Sequence, residues 1–339
     1  MKDLRFFVGI LSVCILGASF ATGADQPRTR KLDYDPVRKT WVELPPPPPG
    51  TAAGDLHLIR MGVEEKEFRQ ALKSVKGFVN RYGEEDSLYP EVLVAKAGAL
   101  VGNREYDKAY KVLQAFLNEF SGMSITEEAL RLEFVIAEAY LSGVKRRFLG
   151  IPMLSGVDEA YKILDEISVD YPESPLAELA VKLKADHLFT TGEHALSELD
   201  YARLLRDFPQ SRYQSFGMRR SADAALASFG GVDYDEAAVI EAEERYKDYQ
   251  ARFPQSAGQE GVDLILENIR VRRAEKEFAI GAYYERTDHL SSAAFYYRQT
   301  RDQWQGTIAA DRATARLKLL GIGDEDASSS DPSGTGSNE

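Results

Sequence analysis

The side chains best suited to proton transfer or metal ligation near neutral pH are the four histidines, His57, His187, His194 and His289. His187 and His194 stand seven residues apart, a spacing that one helical face could carry, yet no third ligand at metal spacing accompanies them. The sequence contains no G-x-S-x-G elbow, no glycine-rich phosphate cradle and no cysteine–histidine pair. Carboxylates are plentiful, as in "EAEERYKDY" at 241–249. Glu and Lys at such spacings pair across a helix surface, for a few tenths of a kcal/mol. We therefore expect no catalytic residues, no metal and no cofactor.

Two stretches point to binding instead. Arg272, Arg273, Tyr283, Tyr284, Arg286, Tyr297 and Arg298 gather basic and aromatic residues in an otherwise acidic chain. Arg and Tyr combine broad apolar surface with directional polar contacts, so this set is a candidate partner-binding surface, several of whose tyrosines helical spacing turns inward. The other stretch is "VKRRFLGIPMLSG" at 144–156. It mixes Lys145, Arg146 and Arg147 with Phe148, Leu149, Ile151, Met153 and Leu154. It is a candidate docking loop for a partner or for acidic lipid headgroups; the alternative is a loop folded over the edge of its own scaffold.

Composition limits the partners. With 339 residues, 44% of them hydrophobic, the chain has ample material for a folded core. A net charge of −12 argues against a broad nucleic-acid footprint and for protein partners. The N-terminus "MKDLRFFVGILSVCILGASFATGADQ" puts Lys2 and Arg5 before a short apolar run and small residues, the pattern of a secretory leader over 1–24, cleaved after Ala21 or Ala24. Cys14, the one cysteine, follows Val13 rather than the small residue that a lipid-acceptor site requires.

Residues 25–54 are polar and proline-rich, with five prolines from Pro45 to Pro49, and read as a stiff polyproline spacer. Residues 321–339 are small and acidic and read as a disordered tail. Between them, over 55–320, strand signals are sparse and a 3.6-residue apolar period recurs. Ala109, Val112, Leu113, Phe116, Leu117 and Phe120 trace one helix face, and Ala160, Ile163, Leu164, Ile167 and Tyr171 trace another.

Three near-copies of one phrase punctuate these helices: "VDYPES" from Val169, "RDFPQS" from Arg206 and "ARFPQS" from Ala251. The aromatic packs inward, the proline stops the helix, and the serine is placed to cap the next, with Ser211–Gln214 and Ser256–Gln259 matching a capping box and Ser174 preceding Pro175. Tyr82, Phe120, Tyr171, Phe208, Phe253 and Trp304 hold equivalent places, at spacings of 38, 51, 37, 45 and 51 residues. These begin near the period of about 34 residues of a helix–turn–helix repeat. The chain therefore resembles an all-α, tetratricopeptide-like helical-hairpin solenoid of five to six repeats.

A narrower resemblance lies in "RRAEKEFAIGAYYERTDHLSSAAFYYRQTRDQW" at 272–304. Ala274, Glu275, Glu277, Tyr283, Tyr284, Phe295, Tyr296, Tyr297 and Arg298 resemble the last repeat of outer-membrane assembly lipoproteins of the BamD type. The resemblance implies a non-catalytic scaffold, exported to the periplasm and associated with the outer membrane. Its partners would be a barrel-assembly subunit at the late repeats and unfolded outer-membrane clients at the early ones, with membrane contact at most peripheral. A repeat-containing enzyme or enzyme-regulating subunit of cell-wall metabolism is the alternative.

Overall fold

The computed structural model describes residues 32–35, 40–43, 46–148, 151–228 and 237–321. The expected leader, nearly all of the acidic tail and Leu149 lie outside the described residues. So does the side chain of Phe148.

Helices dominate, in antiparallel pairs: α1 (Ala52–Glu64) with α2 (Phe68–Tyr82), α3 (Tyr89–Gly102) with α4 (Tyr106–Phe120), α5 (Thr126–Leu141) with α6 (Val157–Asp170) and α7 (Pro175–Thr190) with α8 (His194–Asp207). The series continues with α9 (Gln214–Ala227) and α10 (Ala237–Arg252), a short α11 (Pro254–Gln259), the long α12 (Val262–Arg286) with α13 (Leu290–Gln303), and α14 (Ile308–Leu319) against the last pair. Each helix packs mainly on its sequence neighbours, which is the one-dimensional arrangement of a solenoid of six hairpins. The fold is all-α in its body, as the repeat pattern predicts.

The six punctuating aromatics all stand at the end of a second helix. Tyr82 and Phe120 close α2 and α4, and Tyr171, Phe208, Phe253 and Trp304 follow directly on α6, α8, α10 and α13. The caps are less uniform than the sequence suggests. Ser174 does cap α7, its Oγ accepting from Leu176 N at 3.1 Å ahead of Pro175. Ser211 instead accepts from Tyr213 N at 3.0 Å in a turn before α9, and Gln214 reaches back to Phe208 O at 2.8 Å. Ser256 lies inside α11, because Pro254 opens that helix at once.

The turn inside the hairpins recurs more faithfully than the turn between them. Lys66, Arg104, Gly143, Gly192 and Asp288 all sit at left-handed φ, from 59° to 96°. The next residue's N–H then bonds a carbonyl five back: Glu67 to Gly62, Glu105 to Leu100, Val144 to Ala139, Glu193 to Leu188 and His289 to Tyr284, at 2.8–3.1 Å. This Schellman closure satisfies carbonyls that the first helix leaves open.

Apolar stripes meet between the helices. The largest cluster joins Val94, Leu113, Phe116, Ile136, Tyr140, Ile163 and Ile167 across α3 to α6, and others follow toward the C-terminus. Four of the fully buried tyrosines also reach a carboxylate. The hydroxyl of Tyr140 donates to Asp107 at 3.0 Å, that of Tyr201 to Asp186, that of Tyr246 to Asp223 at 2.6 Å and that of Tyr297 to Glu285 at 2.6 Å. The acid in each case also meets a cation: Arg146, Lys182, Arg219 and Arg316 respectively. Burial pushes all four phenols above their usual range, Tyr297 to about 12, so they stay neutral donors.

Two small hairpins depart from the helical expectation. Within the proline-rich segment β1 (Leu32–Asp35) pairs antiparallel with β2 (Thr40–Glu43), Leu32 opposite Glu43. Between α5 and α6, β3 (Arg146–Phe148) pairs with β4 (Ile151–Leu154), with an irregularity at Arg146 and Arg147. The described parts of the "KRRFLGIPML" segment thus pair as two short strands, tied to the edge of the solenoid where Arg146 meets Asp107 and Glu159. The proline run ends against α1: Thr51 Oγ1 donates to Pro48 O at 2.8 Å, and Ala52 begins the helix three residues before the expected boundary.

Candidate partner surface on the last hairpin

Helix α12 carries its sequence-predicted residues on several faces, so their fates differ. Arg272, Ala279, Tyr283 and Arg286 follow one another by seven, four and three residues and are all exposed. That is one stripe of about 21 Å at 1.5 Å per residue. Among the described residues neither Arg272 nor Arg286 has a carboxylate within ion-pair distance.

Beside the stripe runs a ladder of rings shared with α13. Tyr283 meets Tyr284 edge to face at 5.7 Å, Tyr284 stacks on Tyr296 at 5.5 Å and 7° between planes, and Tyr296 meets Phe295 edge-on at 5.3 Å. Its two ends face solvent, Tyr283 being 55% and Phe295 60% exposed. Leu290 is also exposed, and His289 lies edge-on to Tyr284 at 6.3 Å. A row of aromatics open at both ends, with a guanidinium at either end of the adjoining stripe, offers a partner apolar area and directional charge together.

Other members of the expected set do structural work. Arg273 Nη1 pairs with Glu243 Oε2 at 2.6 Å, tying α12 to α10, and its guanidinium lies 5.1 Å from the Trp304 ring. Arg273 and Lys247 together hold the Glu243 carboxyl below its usual range although burial opposes them. Tyr297 is fully buried and contributes to the core, not to a surface. Its ring packs against Gly281, where a Cβ would stand 2.8 Å from it, so the glycine lets α12 and α13 approach. Arg298 is half-buried and engaged within the chain. Phe295, Tyr296, His289 and Leu290 were missing from the predicted site; their signal was the run "HLSSAAFYY" closing on the "AYYER" end of the preceding helix.

The histidines do not assemble. His187 lies in the last turn of α7, 2.7 Å from the Tyr161 hydroxyl, whereas His194 begins α8 and lies edge-on to Phe189, so the two are not on one helix face. Among the described residues no group of three or more His, Cys, Asp or Glu could hold a metal, and no helix is long and apolar enough to cross a membrane.

In the β3–β4 hairpin, Lys145 and Arg147 are exposed, and Arg146 bridges Asp107 at 3.1 Å and Glu159 at 2.6 Å. The Asp107 carboxyl is held below its usual range: burial opposes this, but the backbone N–H of Arg147 and the side chains of Arg146 and Tyr140 outweigh it.

Comparison with known proteins adds to this geometry. No curated protein matches the chain. Among solved structures it matches the human IFIT1 dimer with PPP-AAAA at 12% identity, over 80% of this chain and 81% of that one, with a TM-score of 0.20, too low to argue from. Residues 154–320, just under half of the chain, match the family model described as YfiO, outer membrane lipoprotein. From the last residue of β4 to the end of the helical body, the chain is similar to a family of outer membrane lipoproteins.

Proposed function

We propose that the protein is a non-catalytic interaction scaffold of outer-membrane protein assembly, exported to the periplasm and similar to BamD-type subunits. The α12–α13 hairpin holds the principal partner, a barrel-assembly subunit, and the early repeats face unfolded clients. The observation that carries this reading is the solvent-facing aromatic ladder beside Arg272 and Arg286, which lies inside the segment that matches the outer membrane lipoprotein family. The two ends of the row, Tyr283 and Phe295, face solvent although Tyr284 packs on the core, and among the described residues neither flanking cation has a carboxylate within ion-pair distance.

The experiment is capture from solubilised membranes with the full chain, followed by surface plasmon resonance against the protein recovered. Arg272→Glu with Arg286→Glu leaves helix content unchanged, because both side chains are exposed. It weakens capture at least tenfold, about 1.4 kcal/mol, with most of the change in the dissociation rate. Recovery of a large barrel protein supports the proposal. Unchanged affinity in the folded double variant moves the surface elsewhere, and recovery of cell-wall synthases in its place favours the enzyme-regulating alternative.

A further inference from the structure

The β3–β4 hairpin and the turn between α3 and α4 build a second surface, at a distance in sequence from the partner site and independent of it. A cleft of about 290 Å³ opens between them, lined by Arg104, Tyr106, Lys108, Tyr140, Lys145 and Arg147 together with Glu105 and Asp107. Its charge is unbalanced. Lys108 is taken up by Glu105, and Arg146, at its edge, by Asp107 and Glu159. Among the described residues, the side chains of Arg104, Lys145 and Arg147 have no carboxylate within ion-pair distance. Arg104 is fixed where it stands by the left-handed turn, at φ 59°. Asp107 is largely engaged, since it accepts from the Tyr140 hydroxyl, Arg146 Nε and Arg147 N.

The hairpin also exposes apolar side chains. Ile151, Met153 and Leu154 on β4 are 60%, 57% and 47% exposed, and Val144 is also exposed. Alternation along the strand sets Ile151 and Met153 on the same face. Exposed apolar residues thus stand on a short strand that adjoins a cluster of cations, in a chain of net charge −12.

We propose that this hairpin and cleft dock on the surface of an anionic phospholipid bilayer, the cleft taking a headgroup phosphate between Arg104, Lys145 and Arg147 while Ile151 and Met153 enter the interface. Charge complementarity selects this occupant. The net acidic remainder of the molecule is repelled by such a surface, so a local cluster of cations orients the solenoid on it.

The test uses the full chain carrying Cys14→Ser, which removes the only native thiol and any acyl group it could bear. Met153→Cys in this background carries an environment-sensitive fluorophore. Titration with phosphatidylcholine vesicles containing about one-third phosphatidylglycerol should shift its emission to the blue, and pure phosphatidylcholine vesicles should not. Lys145→Glu with Arg147→Glu should weaken vesicle binding at least tenfold while the helical circular dichroism stays unchanged. Soluble glycerol phosphate at constant ionic strength should not displace the protein. Equal response to neutral vesicles, unchanged binding by the double variant, or displacement by glycerol phosphate, which would mark a small-molecule phosphate site, each overturns the proposal. Arg272→Glu with Arg286→Glu should leave vesicle binding intact, so failure here is separable from failure of the partner surface.

Discussion

Glu133 should make this protein less stable as the pH rises through neutrality, and replacing it with glutamine should remove that dependence. The residue lies in the middle of α5 and is 1% exposed. Its Oε1 accepts from Gln114 Nε2 at 2.9 Å, and the same amide reaches Glu166 Oε2 at 3.3 Å, to which the Tyr110 hydroxyl donates at 2.6 Å. The one cation of the group, Lys162, lies 3.6 Å from Glu166. Burial pushes the Glu133 carboxyl up to about 8; Gln114 and Lys162 oppose the rise and the charge of Glu166 adds to it.

The direction of the effect follows from proton counting. Between the ordinary value of 4.5 and about 8 the folded chain keeps a proton that the unfolded chain has released. The contribution of this group is therefore fully present below 4.5 and is lost as the pH climbs through 8. The slope approaches about 1.4 kcal/mol per pH unit, so on the order of 3 kcal/mol is gone by pH 7. Glu133→Gln retains the oxygen that Gln114 needs and cannot ionise. Melting followed by circular dichroism should show variant and parent close together at pH 5 and separating by about 5–10 °C by pH 8, at about 2 °C per kcal/mol for a body of this size. Parallel curves across that range would mean that Glu133 is ionised in the fold and that the α4–α5–α6 interior is wetter than its packing implies.

Three further outcomes are expected. Gly281→Ala places a methyl group 2.8 Å from the Tyr297 ring and should cost about 1–3 kcal/mol in urea unfolding, despite the better helix propensity of alanine. Stopping the chain after Val271 removes Phe278, Tyr297 and Leu317 and the tie from Arg273 to Glu243, so the melt should move down and broaden; a cooperative, unchanged melt would contradict the packing of the last repeat. Mass spectrometry of the native N-terminus should find cleavage after Ala21 or Ala24 and no lipid, because Val13 precedes Cys14; a diacylated Cys14 would overturn this and strengthen the likeness to the lipoprotein family.

Some of this was legible in the sequence because one residue sufficed to write it. An aromatic followed by proline ends a helix by itself, so the three closures at Tyr171, Phe208 and Phe253 could be placed without knowing what they pack on. The turn within the hairpins was hidden because Lys66, Arg104 and Asp288 occupy left-handed positions where glycine would have announced a repeat. The capping boxes at Ser211 and Ser256 failed for a local reason: the adjoining proline either delays the helix or starts it before the serine can cap. Both β-hairpins escaped because strands of three or four residues carry too little alternation to register as a period. In the candidate site, the spacing of Arg272, Tyr283 and Arg286 marks one stripe, but Arg273 turns about 100° from Arg272 and is captured by α10. Periodicity relates residues on one helix; which stripe faces solvent depends on neighbours far along the chain.

The tyrosine–carboxylate–cation groups show the same dependence and suggest what it accomplishes. In a solenoid the helices of a hairpin must be fixed in angle as well as in distance, and apolar packing alone resists separation better than it resists sliding or rotation. A phenol whose ring is locked in the core and whose hydroxyl reaches an acid at the edge supplies direction, because a hydrogen bond weakens steeply off its axis. The cations extend that constraint across elements: Arg146 joins α4, β3 and α6 through Asp107 and Glu159, and Arg316 carries Tyr297 and Glu285 over to α14. The partner stripe and the β3–β4 hairpin both sit beside such a group. Their exposed side chains are thus presented by backbone that is already oriented, and less ordering remains to be done when a partner or a bilayer arrives.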